Sequence, residues 1–192
     1  MAADAARRRA TYEDLLAAPP YSIAEIVDGD LVVQPRPAGP HAHAASGLGM
    51  DIGGPFDRGR GGPGGWLIVD EPELHLHDDV LVPDLAGWRR ERLPDLTGAH
   101  FTLAPDWVCE VLSPRTTHYD RGPKADIYAR EGVGHLWFVD PDAKLIEAFA
   151  LADGRWSRLG AWLGDDDARI PPFDAVALEP KLLWIPETPE TK

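Results

Sequence analysis

Only one cysteine, Cys109, occurs in the 192 residues, so no internal disulfide can staple the chain and a reducing compartment, the cytoplasm, is the expected location. No apolar run approaches the roughly 18 residues of a membrane-spanning helix, so no membrane partner is expected. The first ten residues carry three arginines with no apolar stretch behind them, which excludes a secretory signal and reads as a disordered tail. Positive charge is scarce: 19 Lys and Arg stand against 32 Asp and Glu, a formal net charge of −13. Nucleic-acid binders draw affinity from basic surfaces that release phosphate counterions. An acidic chain with such a substrate must rely on bound metal, a local basic patch or a partner protein.

Several nucleotide and hydrolase signatures are also missing. The loop Gly59-Arg60-Gly61-Gly62-Pro63-Gly64-Gly65 lacks the Lys-Ser/Thr ending of a phosphate-binding P-loop and reads as a connector. No G-x-S-x-G elbow surrounds Ser113, which excludes a serine hydrolase. His75 and His77 share a strand face, but no third or fourth ligand stands at a recognised zinc spacing, so exposed strand histidines are expected. His41 and His43 meet the same objection. Cys109 reads as a small buried hydrophobe. The tryptophans are scattered and read as core or interface residues.

What remains is an ordinary globular composition, 44% hydrophobic and 27% charged, at a length suited to one domain with a real core. Thr11 can cap a short helix over residues 12–17. Strands at 23–27 and 31–34 flank Asp28-Gly29-Asp30, a hairpin signal. A long helix is expected over 41–53, then strands at 66–69, 73–77, 80–88 and 106–112. A second helix has Asp120 as its N-cap, Pro123 in its first turn and Gly132 beyond its end. Strands at 135–139, 144–151 and 155–159 close the pattern, and residues 185–192 read as a frayed tail. The expected fold is α/β, a mixed central sheet flanked by helices, with one domain over 11–184.

Three carboxylates break the strand pattern. Alternate residues of a strand share a face. Glu25 therefore lies with Ile23 and Val27, Asp84 with Val80, Val82 and Ala86, and Glu110 with Val108 and Leu112. An unpaired buried carboxylate costs several kcal/mol, so such groups are paired, protonated or metal-bound. Lys124 supplies a cation on the helix after Glu110, with Tyr128 one turn further along the same face. Two converging carboxylates beside a lysine can hold a hard divalent cation and orient a water. A glycosidase also uses two carboxylates but gives Lys124 no work.

The same residues resemble a known family. Pro83-Asp84, Glu110-Val111-Leu112-Ser113-Pro114, Asp120 and Lys124 are similar to the bacterial Uma-type endonucleases of the PD-(D/E)XK restriction-endonuclease-like superfamily. Supporting stretches are residues 25–33, 128–133 and 136–141, and the likeness runs from about Thr11 to about Leu159. It implies that Asp84 and Glu110 bind the metal, Mg²⁺ or Mn²⁺, with the Val111 carbonyl as a third ligand. It further implies that Lys124 replaces the lysine usual two residues after Glu110, where Leu112 stands, and that Glu25 holds a metal-bound water. His41, after Pro40, matches a histidine of the family without an assigned role. The implied activity is hydrolysis of DNA phosphodiesters by a homodimer. The alternative, which the net charge of −13 favours, is a non-catalytic homodimeric interaction module with a vestigial site.

Overall fold

The computed structural model describes residues 8–37 and 39–186. The parts of both expected tails at 1–7 and 187–192 lie outside the described residues. Residues 8–10 run along the domain, where the Ala10 amide donates to the Gly29 carbonyl at 2.8 Å.

The chain folds as mixed α/β, as expected, but with two sheets in place of one. Helix α1 (Tyr12–Leu16) begins in a reciprocal capping box between Thr11 and Asp14. Strands β1 (Ser22–Val27) and β2 (Asp30–Pro35) pair through a two-residue turn. Its central residues, Asp28 and Gly29, both have positive φ, 51° and 86°, the twist that suits a tight hairpin. Helix α2 (Gly39–Ile52) buries Ala44, Leu48 and Ile52 at four-residue intervals and widens into a π-type turn over Gly53–Asp57. Its glycines have a packing reason at Gly49, where a Cβ would stand 3.1 Å from Asp70 Oδ1.

Strands β3 (Trp66–Asp70), β4 (Leu74–Leu76), β5 (Asp79–Leu81), β6 (Leu85–Arg89) and β7 (Trp107–Val111) follow. A helical stretch then runs from α3 (Thr117–Tyr119) through a π-type turn at Asp120–Lys124 into α4 (Ala125–Arg130). Strands β8 (His135–Asp140), β9 (Leu145–Ala152) and β10 (Arg155–Leu163) complete the sheets. The larger sheet has the order β10-β9-β8-β7-β6-β3, the smaller β2-β1-β5-β4. Among the named strands only β7 and β8 pair in parallel, because α3 and α4 carry the chain back across the sheet between them. On one face of the large sheet α2 packs with Trp66, Trp107 and Trp137; on the other lie α4 residues and the small sheet's apolar side chains. No tryptophan is exposed: five are buried and Trp156 and Trp162 are half-buried, as their reading as core residues expects.

Two local expectations are corrected. Residues 80–88 are not one strand: β5 belongs to the small sheet and β6 to the large one. Pro83 between them has no N–H to continue a ladder, so the chain changes sheets there. Asp84 therefore sits at the seam, not on a strand face shared with Val80 and Ala86. Asp120 is not a cap either. The helix has already begun at Thr117, and Pro123, unable to donate, coincides with the wide turn and a break at Gly122 (φ −106°, ψ −110°).

Candidate functional site

The seam between the sheets opens into a cavity of about 450 Å³, lined by Glu25, His41, Asp84, Glu110, Asp120 and Lys124 among others. Each side chain arrives from a different element. Glu25 comes from β1 and Glu110 from β7, Asp84 from the β5–β6 crossover, His41 from the first turn of α2, and Asp120 and Lys124 from the wide turn before α4. The turn places the last two four residues apart on one side, with Lys124 Nζ 3.5 Å from Asp120 Oδ1.

Lys124 is the hub. Its Nζ stands 3.0 Å from Glu25 Oε1 and 2.9 Å from Glu110 Oε1, and all three side chains are only 3% exposed. Glu25 Oε1 also accepts the Val82 amide at 2.8 Å, a donor that left its ladder where the chain changes sheets. Tyr128 donates its hydroxyl to Glu110 Oε1 at 2.6 Å. Asp84 Oδ2 accepts the Val111 amide at 2.7 Å, so the main chain at the end of β7 fixes that carboxylate. Its other oxygen, Oδ1, lies 3.3 Å from His41 Nε2.

The electrostatics show a site short of positive charge. Burial pushes the Glu110 carboxyl well above its ordinary range; Lys124 pulls it back, while Asp120, Asp84 and Glu25 push it further up. Burial likewise raises Asp120 against the pull of Lys124. For Lys124, burial favours the neutral amine, but Glu110 and Glu25 outweigh it and hold the ammonium well above its usual value. Burial lowers His41, yet the hydrogen bond and charge of Asp84 prevail and the net direction is upward. Four carboxylates thus line the cavity beside one lysine and one histidine. Cations do stand at the rim, where Arg36 and Arg115 line the same cavity.

The structure brings together Glu25, Asp84, Glu110 and Lys124, with Val111 presenting its backbone between Asp84 and His41. Leu112 points into the apolar layer, so the position two residues after Glu110 offers the cavity no cation. The sequence reading counts Asp120 in the family likeness but gives it only a capping role, although its i, i+4 spacing to Lys124 is a signal for the site. It gave His41 no partner; the structure pairs it with Asp84. Arg36 and Arg115 carried no periodic signal, because loops place them.

The family model described as "Uma2: putative restriction endonuclease" matches residues 9–179. Among solved structures, the chain is similar to a putative nuclease belonging to DUF820 from Anabaena variabilis, with a TM-score of 0.73 and 21% identity. The alignment covers 91% of this chain and 97% of that one. The search of curated proteins found no match. No helix among the described residues is long and apolar enough to cross a membrane.

Proposed function

From the premise that this chain belongs to the Uma2 family of putative restriction endonucleases, we propose that the seam cavity is the active site of a metal-dependent nuclease hydrolysing DNA phosphodiester bonds. The observation that carries this reading is the buried ionic cluster: four carboxylates at one cavity against one lysine and one histidine. Such a cluster is stabilised by a dication, and an all-oxygen set of one or two carboxylates that leaves room for waters suits Mg²⁺ or Mn²⁺. Asp84, Glu110 and Val111 line one cavity and offer oxygen donors of that kind. Asp84 and Glu110 would hold the ion with the Val111 carbonyl, and the ion would supply Lewis-acid stabilisation of the phosphate and of the leaving oxygen.

The protein's own groups divide the remaining work. Lys124, held between Glu25 and Glu110, keeps its proton and offsets negative charge that develops on the phosphate. Glu25 accepts from Lys124 and the Val82 amide through Oε1, which orients its carboxylate to position an attacking water. His41 fixes the rotamer of Asp84 from one side while the Val111 amide fixes it from the other. Arg115, and Arg36 paired with Glu71 at 2.9 Å, place positive charge at the rim, the local basic patch that a phosphate backbone requires of an acidic chain.

The net charge of −13 favours a second reading, a homodimeric interaction module that keeps the cluster without turnover. Incubation of plasmid and single-stranded DNA with Mg²⁺ or Mn²⁺ separates the two, using wild type, Asp84→Ala and Glu110→Ala. Metal-dependent cleavage lost in both variants is the expected result. Absence of cleavage together with absence of calorimetric Mn²⁺ binding would sink the nuclease reading and leave the interaction module.

A further inference from the structure

Away from the seam, three metal-ligating side chains meet on the outer edge of the small sheet. Ligand atoms of Glu73, His75 and His100 all lie within 4.8 Å of one another. None of the three lines the seam cavity. Glu73 and His75 flank Leu74 at the start of β4, while His100 comes from the long irregular connection between β6 and β7. The main chain sets their register: the His75 amide donates to the Phe101 carbonyl at 2.8 Å, and the Phe101 amide donates to the Glu73 carbonyl at 2.9 Å. The side chains are thus brought together by two backbone hydrogen bonds, not by chance proximity of mobile surface groups.

Their surroundings are those of a ligand set with its outer support in place. Glu73 Oε1 accepts the Tyr12 hydroxyl at 2.9 Å and lies 2.7 Å from His75 Nε2. Tyr12 also packs edge-on against the His75 ring, with centroids 4.9 Å apart. Of these contacts, the two from Tyr12 come from outside the ligand set and hold the Glu73 carboxylate and the His75 ring in place. The His100 ring stacks on His75 with centroids 3.8 Å apart and makes no hydrogen bond among the described residues, so it is free to turn. His75 and Glu73 are one-fifth to one-third exposed, which leaves an ion a path from solvent.

We propose that Glu73, His75 and His100 form a second metal site, for Zn²⁺ or a similar borderline transition ion, that pins the β6–β7 connection to β4 and α1. Two imidazoles and one carboxylate are a zinc donor set, with water in the fourth tetrahedral position. Imidazole ligation also separates this site from the all-oxygen seam, since Mg²⁺ prefers oxygen donors. Ligands of a tetrahedral zinc stand roughly 3.3 Å apart given bond lengths of about 2 Å. Rotation of the His100 ring out of its stack brings its nitrogen in, while His75 Nε2 and Glu73 Oε1, 2.7 Å apart, must part by roughly 0.6 Å as the ion replaces the proton between them and that proton leaves to solvent. The ion would tie the chain together between residues 73 and 100, with its fourth position open to water. The proposal does not rest on the nuclease reading.

The test is titration of the full chain with Zn²⁺, and with Co²⁺ followed by its visible absorption, in wild type, His100→Ala, His75→Gln and Asp84→Ala. Circular dichroism checks that each variant is folded. His100→Ala is the decisive one, because the ring is partly exposed and unbonded and its loss leaves the fold intact. One equivalent that Asp84→Ala retains and that His100→Ala binds about tenfold or more weakly is expected, apart from any ion that wild type also takes at the seam. A Zn²⁺-dependent rise in Tm should disappear with it. Zn²⁺ affinity unchanged in His100→Ala, or lost in Asp84→Ala alone, would overturn the proposal and assign the binding to the seam. No binding by wild type would reduce the cluster to a stacked histidine pair.

Discussion

Along β7, the side chains of Trp107, Cys109 and Val111 enter one layer while Val108 and Glu110 enter the other. The first layer is apolar at this strand except for the Trp107 Nε1–H, which is buried with no hydrogen-bond partner among the described residues. Trp107 meets Trp137 and Phe173 edge-on, with centroids 5.4 Å and 4.8 Å apart. The second layer contains the same kinds of aliphatic and aromatic side chain but closes around Glu110, Glu25 and Lys124, each almost fully buried. Burying the first set gains free energy by removing apolar surface from water. Burying the second gains little, because desolvating three charges offsets most of their mutual attraction. One strand therefore carries a stabilising face and a face retained for what it can do.

Removing the hub should break this comparison most sharply. Lys124→Ala leaves two carboxylates buried without their cation and should cost about 3–5 kcal/mol, read from denaturant unfolding. Trp107→Ala on the apolar face should cost a similar amount by leaving a cavity. The two should part over Mn²⁺, which is expected to recover stability in Lys124→Ala and not in Trp107→Ala. Equal recovery in both would remove the distinction between the faces.

Asp84→Asn keeps an acceptor for the Val111 amide but not the charge. It should leave the unfolding midpoint nearly unchanged while any cleavage falls by about 100-fold or more. A smaller change follows from replacing the cluster as a unit. Glu25→Gln, Glu110→Gln and Lys124→Met together should be neutral or stabilising by up to about 4 kcal/mol, with no activity. Strong destabilisation of that triple variant would mean the charged face holds the fold together after all.

The smallest effect belongs to Cys109. Burial pushes its thiol well above the usual range, and the Asp84 and Glu110 charges push it the same way. The native protein should resist alkylation at about pH 8 and react fully in denaturant, as thiol titration would show. Because the folded thiol has the higher pKa, its contribution to stability is complete below about pH 8.5 and declines as pH rises towards the folded value.

Much of this arrangement was legible before any coordinates. The hairpin at Asp28-Gly29, the capping box at Thr11 and most of the strands follow from local chemistry, in which turn residues and alternation act over a few positions. The carboxylates at Glu25 and Glu110 were visible because they interrupt apolar faces. Asp84 was picked out by the same rule for a reason that does not hold, since Pro83 ends the strand before it. Asp120 was read as a cap because Asp before Pro and an apolar run looks like a helix start, and the earlier beginning at Thr117 depends on packing. The sequence weighs His75 with the wrong partner, His77, and misses Glu73 and His100, because zinc spacings are read along the chain, whereas these ligands meet across a backbone pairing between Leu74 and Phe101.

Most of the elements, the apolar faces and the residue types that do not belong on them follow from the amino-acid order alone, because each is set by neighbours a few residues away. Tertiary structure decided which of those misfits meet. The division into two sheets, the seam that joins Glu25 to Glu110 through Lys124, and the pairing of His41 with Asp84 each link residues at least 14 positions apart. Such contacts depend on how the faces pack, and no local pattern encodes the side of a sheet on which a distant lysine will land.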